Sequence, residues 1–138
     1  MIYDVEQAFI DYFGNNMESI IGRGNESIDV YRDSFKDDSN PIGIVVDAEL
    51  RTAHSTVPQI ELVGLRVLVR HLESDDAFYM IQNIDELLDK KANVILNSTL
   101  DLCTCVRNAG PDRFGGTPME NYLWYWTALY TCRTRRRA

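Results

Sequence analysis

The 138-residue chain carries 14 Lys and Arg against 21 Asp and Glu, a net charge of −7, with 45% hydrophobic and 25% charged residues. That balance describes one globular domain with its own core, and it excludes an intrinsically disordered chain and a uniformly basic nucleic-acid surface. No apolar run approaches the roughly 20 residues that span a bilayer, Asp4 and Glu6 stand where an export signal would be basic, and three cysteines fit a reducing compartment. A single domain over residues 1–138, made in a cytosol and with no membrane partner, is therefore expected.

Asp4 is placed to cap a first helix with Gln7 reaching back, and Val5, Ala8, Phe9, Tyr12 and Phe13 form its apolar stripe. The stripe continues through Met17, Ile20 and Ile21 until Gly22 and Gly24 stop it, so an N-terminal helix over residues 1–22 is expected. A short strand follows at Ser27 to Tyr31, with Ile28 and Val30 on one side. Arg32 to Pro41 is polar apart from Phe35 and reads as an exposed loop of the kind that meets partners. Ile42 to Glu49, with Ile44, Val45 and Val46, is a second strand, and Arg51 to Pro58 a polar connection.

The strongest pattern lies from Leu62 to Lys91. Val63, Leu65, Val67 and Val69 alternate with Arg66 and Arg70, which defines a strand with one buried face. Ser74 then occupies the N-cap position of a helix whose first turn holds Asp75 and Asp76. Ala77, Met80, Ile81, Ile84, Leu87 and Leu88 form its apolar stripe, and Lys90 and Lys91 close it. Leu100, Leu102, Thr104 and Val106 alternate with Asp101, Cys103, Cys105 and Arg107 in a further strand, parallel to the first through a right-handed crossover. A glycine-rich loop from Asn108 to Pro118 leads to a last strand, about Asn121 to Arg133. Tyr122, Trp124, Trp126, Ala128, Tyr130 and Cys132 take one face of it, and Leu123, Tyr125, Thr127, Leu129 and Thr131 the other. A strand apolar on both sides lies inside a sheet or shares a face with another subunit. The sum is the α+β class: a mixed, mostly antiparallel sheet of four to five strands with helices packed on one side. Residues 134–138 form a basic tail.

Signatures of catalysis are scarce. The chain has no Walker loop, dinucleotide fingerprint, nucleophile elbow or zinc-protease motif. Asp29, Asp47, Glu49 and Glu61 lie on or near strands where a metal-dependent nuclease would gather carboxylates, but Glu49 is followed by Leu50 and Arg51 rather than by a lysine. The expected reading is a solvated strand face. Cys103 and Cys105 fall on one side of a strand with Cys132 nearby, and with His71 or His54 they offer metal-ligand chemistry, yet the spacing lacks C-x-x-C turns and buried, inert thiols are expected. His54 and His71 read as solvated side chains. No cofactor, metal or enzymatic activity is expected. Arg133, Arg135, Arg136 and Arg137 form the one basic cluster, which reads as a mobile, solvated tail.

Two stretches resemble a known family. Val57 to Arg70, followed at once by a helix that closes with Leu87-Leu88, resembles the middle of the tail terminator proteins of long-tailed bacteriophages, also known as tail-completion or minor capsid proteins. The loop Gly110-Pro111-Asp112-Arg113-Phe114-Gly115-Gly116, with Asn121, Tyr122 and Trp124 after it, resembles the family's last hairpin, and a helix starting almost at Met1 agrees. The resemblance implies a structural virion protein whose copies close into a sixfold ring at the head-proximal end of the tail tube, ending tube growth and joining head to tail. The partners it implies are the protein itself, the tail tube protein, head connector proteins and passing genomic DNA contacted without sequence specificity. A head-to-tail ring needs a heterologous interface, for which Tyr122, Trp124, Trp126, Tyr130, Phe35, Asp37 and Asp38 are the candidates. Arg66, Arg70, Arg133, Arg135, Arg136 and Arg137 are candidates to face DNA in the channel or an acidic neighbour. The alternatives are a head-side connector protein and, from a different class, a small metal-dependent nuclease or nucleic-acid-binding protein.

Overall fold

The apolar stripe near the N-terminus is a helix face, and α1 (Ile2–Asn15) buries Val5, Ala8, Phe9, Tyr12 and Phe13 along it. The computed structural model describes residues 2–21, 28–35, 41–50, 60–115 and 123–137. Because α1 begins at Ile2, Asp4 lies within its first turn rather than capping it, and Gln7 bonds forward to Asp11 at 2.8 Å. Asn16 breaks the helix, and the stripe resumes in α2 (Met17–Ile21), where Ile20 is buried. Gly22 and Gly24 lie outside the described residues.

Two strands follow, β1 (Asp29–Arg32) and β2 (Gly43–Leu50), paired in parallel with Val30 level with Ile44. Next, β3 (Ile60–His71) sends Val63, Leu65, Val67 and Val69 into the core, as its alternation predicts. Then α3 (Ser74–Leu88) packs Ala77, Met80, Ile81, Ile84 and Leu88 against that face. Its N-cap is Glu73, and Ser74 is already helical. Asp75 and Asp76 do load the first turn, where the helix dipole favours negative charge. Lys90 and Lys91 lie beyond the end of α3, where Lys90 takes a positive φ of 62° and its N–H donates to the Cys105 carbonyl.

A strand that the sequence reading misses, β4 (Ala92–Ile95), pairs with β5 (Leu100–Gly115), which in turn pairs with β6 (Trp124–Arg136). The sheet order is β1-β2-β3-β6-β5-β4, so the described residues form six strands where four to five were expected, within the expected α+β class. Among the described residues only β1 and β2 are parallel neighbours; the other pairs are antiparallel. The strand β5 runs in the same direction as β3 but does not touch it, because β6 lies between them. That central seat suits β6, whose Ala128, Tyr130 and Cys132 continue the buried row of β3.

Both α1 and α3 cover the same face, joined by the Tyr12 hydroxyl donating to the Leu87 carbonyl at 3.0 Å and by one continuous core. The expected loop from Asn108 is strand as far as Gly115, while residues 116–118 lie outside the described set. Its turn residues accommodate irregularities in the ladder. The register slips between Leu102 and Thr104, Arg107 and Ala109, and Ala109 and Asp112, and Gly110 has φ of 87°. The first slip also changes the face assignment, burying Cys105 and leaving Thr104 and Val106 exposed.

Candidate assembly surface

Since both helices cover one side, the other face of the sheet is built by the alternate residues: Asp47 and Glu49 on β2, Gly64 and Arg66 on β3, Leu129 and Thr131 on β6, Val106 on β5. One end of this face is roofed by the chain itself. Phe35 stands edge-on to Tyr31 at 5.8 Å and to Tyr125 at 6.2 Å, and the Arg70 guanidinium lies 4.1 Å from its ring centre. The Arg70 Nε also donates to the Pro41 carbonyl at 2.9 Å. Gly43 makes the roof fit, because a Cβ there would sit 3.0 Å from the Tyr31 ring and 3.1 Å from the Phe35 ring. Val45 and Arg70 are buried beneath it.

The other end is open. Val106 is 54% and Leu129 43% exposed, beside a hollow of about 650 Å³ lined by Asp47, Glu49, Gly64, Arg66, Asn108 and Leu129. The floor is low because Gly64 has no side chain. Arg66 pairs with Asp47 at 3.2 Å, both half-exposed, and such a surface pair stabilises by at most about 1 kcal/mol. The cost of rearranging it against a partner is correspondingly small. Asn108 donates to the Thr131 hydroxyl across the same face.

The aromatic face of β6 lies on the opposite, helix-covered side. Tyr130 is 1% exposed, and its hydroxyl donates to Asp85 Oδ1 of α3 at 2.8 Å. Burial, followed by the bond to Asp85, pushes its phenol far above the ordinary range. Arg107 Nη1 meets the other oxygen of Asp85 at 2.7 Å, so β5, β6 and α3 converge on one carboxylate. Trp126 packs on Phe78 with ring centres 4.9 Å apart, and Trp124 receives the Arg113 guanidinium at 5.4 Å. These aromatics therefore contact the protein's own helix and hairpin, and Tyr130 is inaccessible to a partner. Phe35 belongs to the roof, and Tyr122, Asp37 and Asp38 lie outside the described residues.

The arginines are also more ordered than expected. Arg133, Arg135 and Arg136 are part of β6, so residues 134–136 continue the strand and are not a solvated tail. Arg135 lies 3.5 Å and Arg137 3.7 Å from Asp101, and Arg136 is 3.2 Å from Asp4. Arg133 is exposed and makes no ion pair among the described residues. Arg66 is exposed on the open face, whereas Arg70 is 8% exposed and turned to Phe35, out of reach of a phosphate.

Of the four carboxylates singled out in the sequence, Asp47 alone joins a cluster among the described residues. It meets Glu6 and Asp33 with ligand oxygens within 4.8 Å of one another. The cluster already has cations and donors. Arg32 Nε is 3.4 Å from Glu6 Oε1, the Ala48 N–H donates to Glu6 Oε2 at 3.0 Å, and Arg66 holds Asp47. Burial raises the Glu6 carboxyl above the usual range, with neighbouring Asp33 acting in the same direction. His71 is 3% exposed, contrary to the solvated state expected, and its Nδ1 accepts the Glu73 N–H at 2.9 Å. His54 lies outside the described residues. Cys105 and Cys132 are buried as expected, and Cys103 is half-buried.

Tyr130, picked from the sequence as a contact residue, is thus turned into the core beneath α3, and the exposed apolar residue of β6, Leu129, lies on the opposite face. Leu129 and Val106 carried a signal, since each is a large apolar residue out of step with the buried row opposite α3. No helix among the described residues is long and apolar enough to cross a membrane. No protein-family model matches the chain, and no curated protein matches it in sequence.

Proposed function

We propose that this chain is a non-enzymatic virion protein of a long-tailed bacteriophage, made in the host cytoplasm, whose copies close into a ring at the head-proximal end of the tail tube. In that position it ends tube growth and offers a docking face to the head connector, with genomic DNA passing through the ring. The observation that carries the reading is the one-sided sheet, with helices on one face and, on the other, exposed Leu129 and Val106 beside a charged hollow. Exposed apolar residues framed by Arg66, Arg133, Asp47 and Glu49 suit burial against another subunit of the same chain. A ring closes when that face meets a different surface of the next copy. A head-side connector would use the same face, and differs only in the structure to which it binds.

The direct test is to mix the purified protein with tail tubes assembled from the tube protein of its own phage and image the tube ends. Density capping one end of each tube supports tail termination. Bare ends, with the protein bound instead to the portal vertex of heads, would reassign it to the head side. The Glu6, Asp33 and Asp47 cluster favours one reading from another class, a metal-dependent nuclease. Incubating DNA with the protein and Mg²⁺ or Mn²⁺ checks it: intact DNA is expected, and metal-dependent cleavage abolished by Asp47→Asn would replace the assembly reading.

A further inference from the structure

Cys105 and Cys132 are directly opposite each other in the β5–β6 ladder, with their Sγ atoms 3.2 Å apart and both side chains buried. Opposed residues of an antiparallel pair have Cα atoms about 4.5–5.5 Å apart, inside the span of about 4.4–6.8 Å that a disulfide bridges. A bond of about 2.05 Å needs the sulfurs to close by only about 1 Å, a change within reach of side-chain rotation. Cys103 is different. It sits in the slip between Leu102 and Thr104 and has no register partner on β6.

We infer that Cys105 and Cys132 form a site of oxidative modification, at which a small neutral oxidant such as hydrogen peroxide converts the two thiols into a cross-strand disulfide. One thiolate attacks the peroxide, the O–O bond breaks, and a sulfenic acid and water result. The second sulfur then attacks the first, the S–O bond breaks, and a second water leaves with the remaining proton. Two thiols are thus oxidised and one peroxide is reduced to two waters. Access is through local opening of β5, whose ladder is interrupted at the neighbouring slip and whose outer neighbour β4 is four residues long. The reaction is slow at neutral pH. The hydrogen bond to Cys105, together with burial, pushes the Cys132 thiol up, and the nucleophile is the thiolate. The inference does not depend on ring formation, since the geometry lies within one chain. Its effect is to staple the hairpin that carries Val106 and Leu129.

The test treats the folded, full-length protein with hydrogen peroxide over hours at pH 7 and pH 9, then denatures it in N-ethylmaleimide. Peptide mass spectrometry, with fragment spectra that separate Cys103 from Cys105, follows. The expected result is a dithiothreitol-reversible loss of two hydrogens in a peptide pair joined through Cys105 and Cys132, formed faster at pH 9, with Cys103 outside the link. The melting temperature should rise by roughly 5–10 °C on oxidation, because the bridge constrains the unfolded chain. Cys132→Ser should lose both the link and the shift. Recovery of Cys105 and Cys132 as alkylated thiols, or a link made through Cys103, would overturn the inference. The wild-type peptide map decides the matter even if the serine variant fails to fold.

Discussion

Asp85 is the residue on which three elements depend, since Tyr130 of β6 and its register partner Arg107 of β5 each donate to one oxygen of its carboxylate in the C-terminal half of α3. Tyr130→Phe keeps the ring in the core and removes one bond, so urea denaturation should show a loss of about 1–2 kcal/mol with an unchanged slope. Glu6 behaves in the opposite sense from most acids. Its folded pKa is raised above the unfolded value, so ionising it opposes folding, and the stability it contributes at acid pH is lost as pH rises through the folded pKa. The urea midpoint of wild type relative to Glu6→Gln should therefore become less favourable from pH 4 to pH 7, whereas a growing wild-type advantage would contradict the assignment. At this scale the sequence was legible where burial follows period. Val63 to Val69 and the α3 stripe needed no tertiary knowledge. It was misleading for Tyr130 and Trp126, because a row of aromatics has the same composition whether it meets α3 or a neighbouring subunit, and for His71 and Arg70, whose burial depends on a strand end and on Phe35, distant in the chain.

Among the elements, β5 departs most from its pattern. Glycine and proline from Asn108 onward signal a loop in a regular backbone, yet here they supply the slips that keep a 16-residue strand paired to β6. Gly110 is the residue this depends on: besides its positive φ, a Cβ would meet the Thr127 carbonyl oxygen at 2.6 Å and the Ala128 Cα at 3.0 Å. Gly110→Ala is accordingly expected to destabilise the fold by about 2–3 kcal/mol, read from the urea midpoint, and a neutral result would mean the hairpin relaxes freely at this slip. The short edge strand β4 escaped sequence reading for a plain reason. It spans four residues, and Asn93 within it has φ of 57°, so no alternation of apolar and polar residues extends far enough to be seen. The helices were legible because they are long and one-sided, although their caps shifted by a residue or more.

For the whole molecule, the arrangement of layers matters more than net charge. Acid and base are distributed so that the arginine-bearing end of β6 is held by Asp101 and Asp4, while the open sheet face keeps the exposed Arg66–Asp47 pair and the exposed aliphatic side chains Val106 and Leu129. That asymmetry is what an assembling subunit requires: a finished core on one side and a surface on the other that loses unfavourable contact with water only in an oligomer. Light scattering after gel filtration, over a concentration series and with Leu129→Asp alongside, tests this most directly. For a chain of 15.8 kDa, a sixfold ring has a mass of roughly 95 kDa, and the wild type should reach it. Leu129→Asp should remain monomeric with an unchanged melting temperature, because the side chain is already 43% exposed. A wild type that stays monomeric at every concentration, or a Leu129→Asp variant that assembles as the wild type does, would contradict self-assembly through this face.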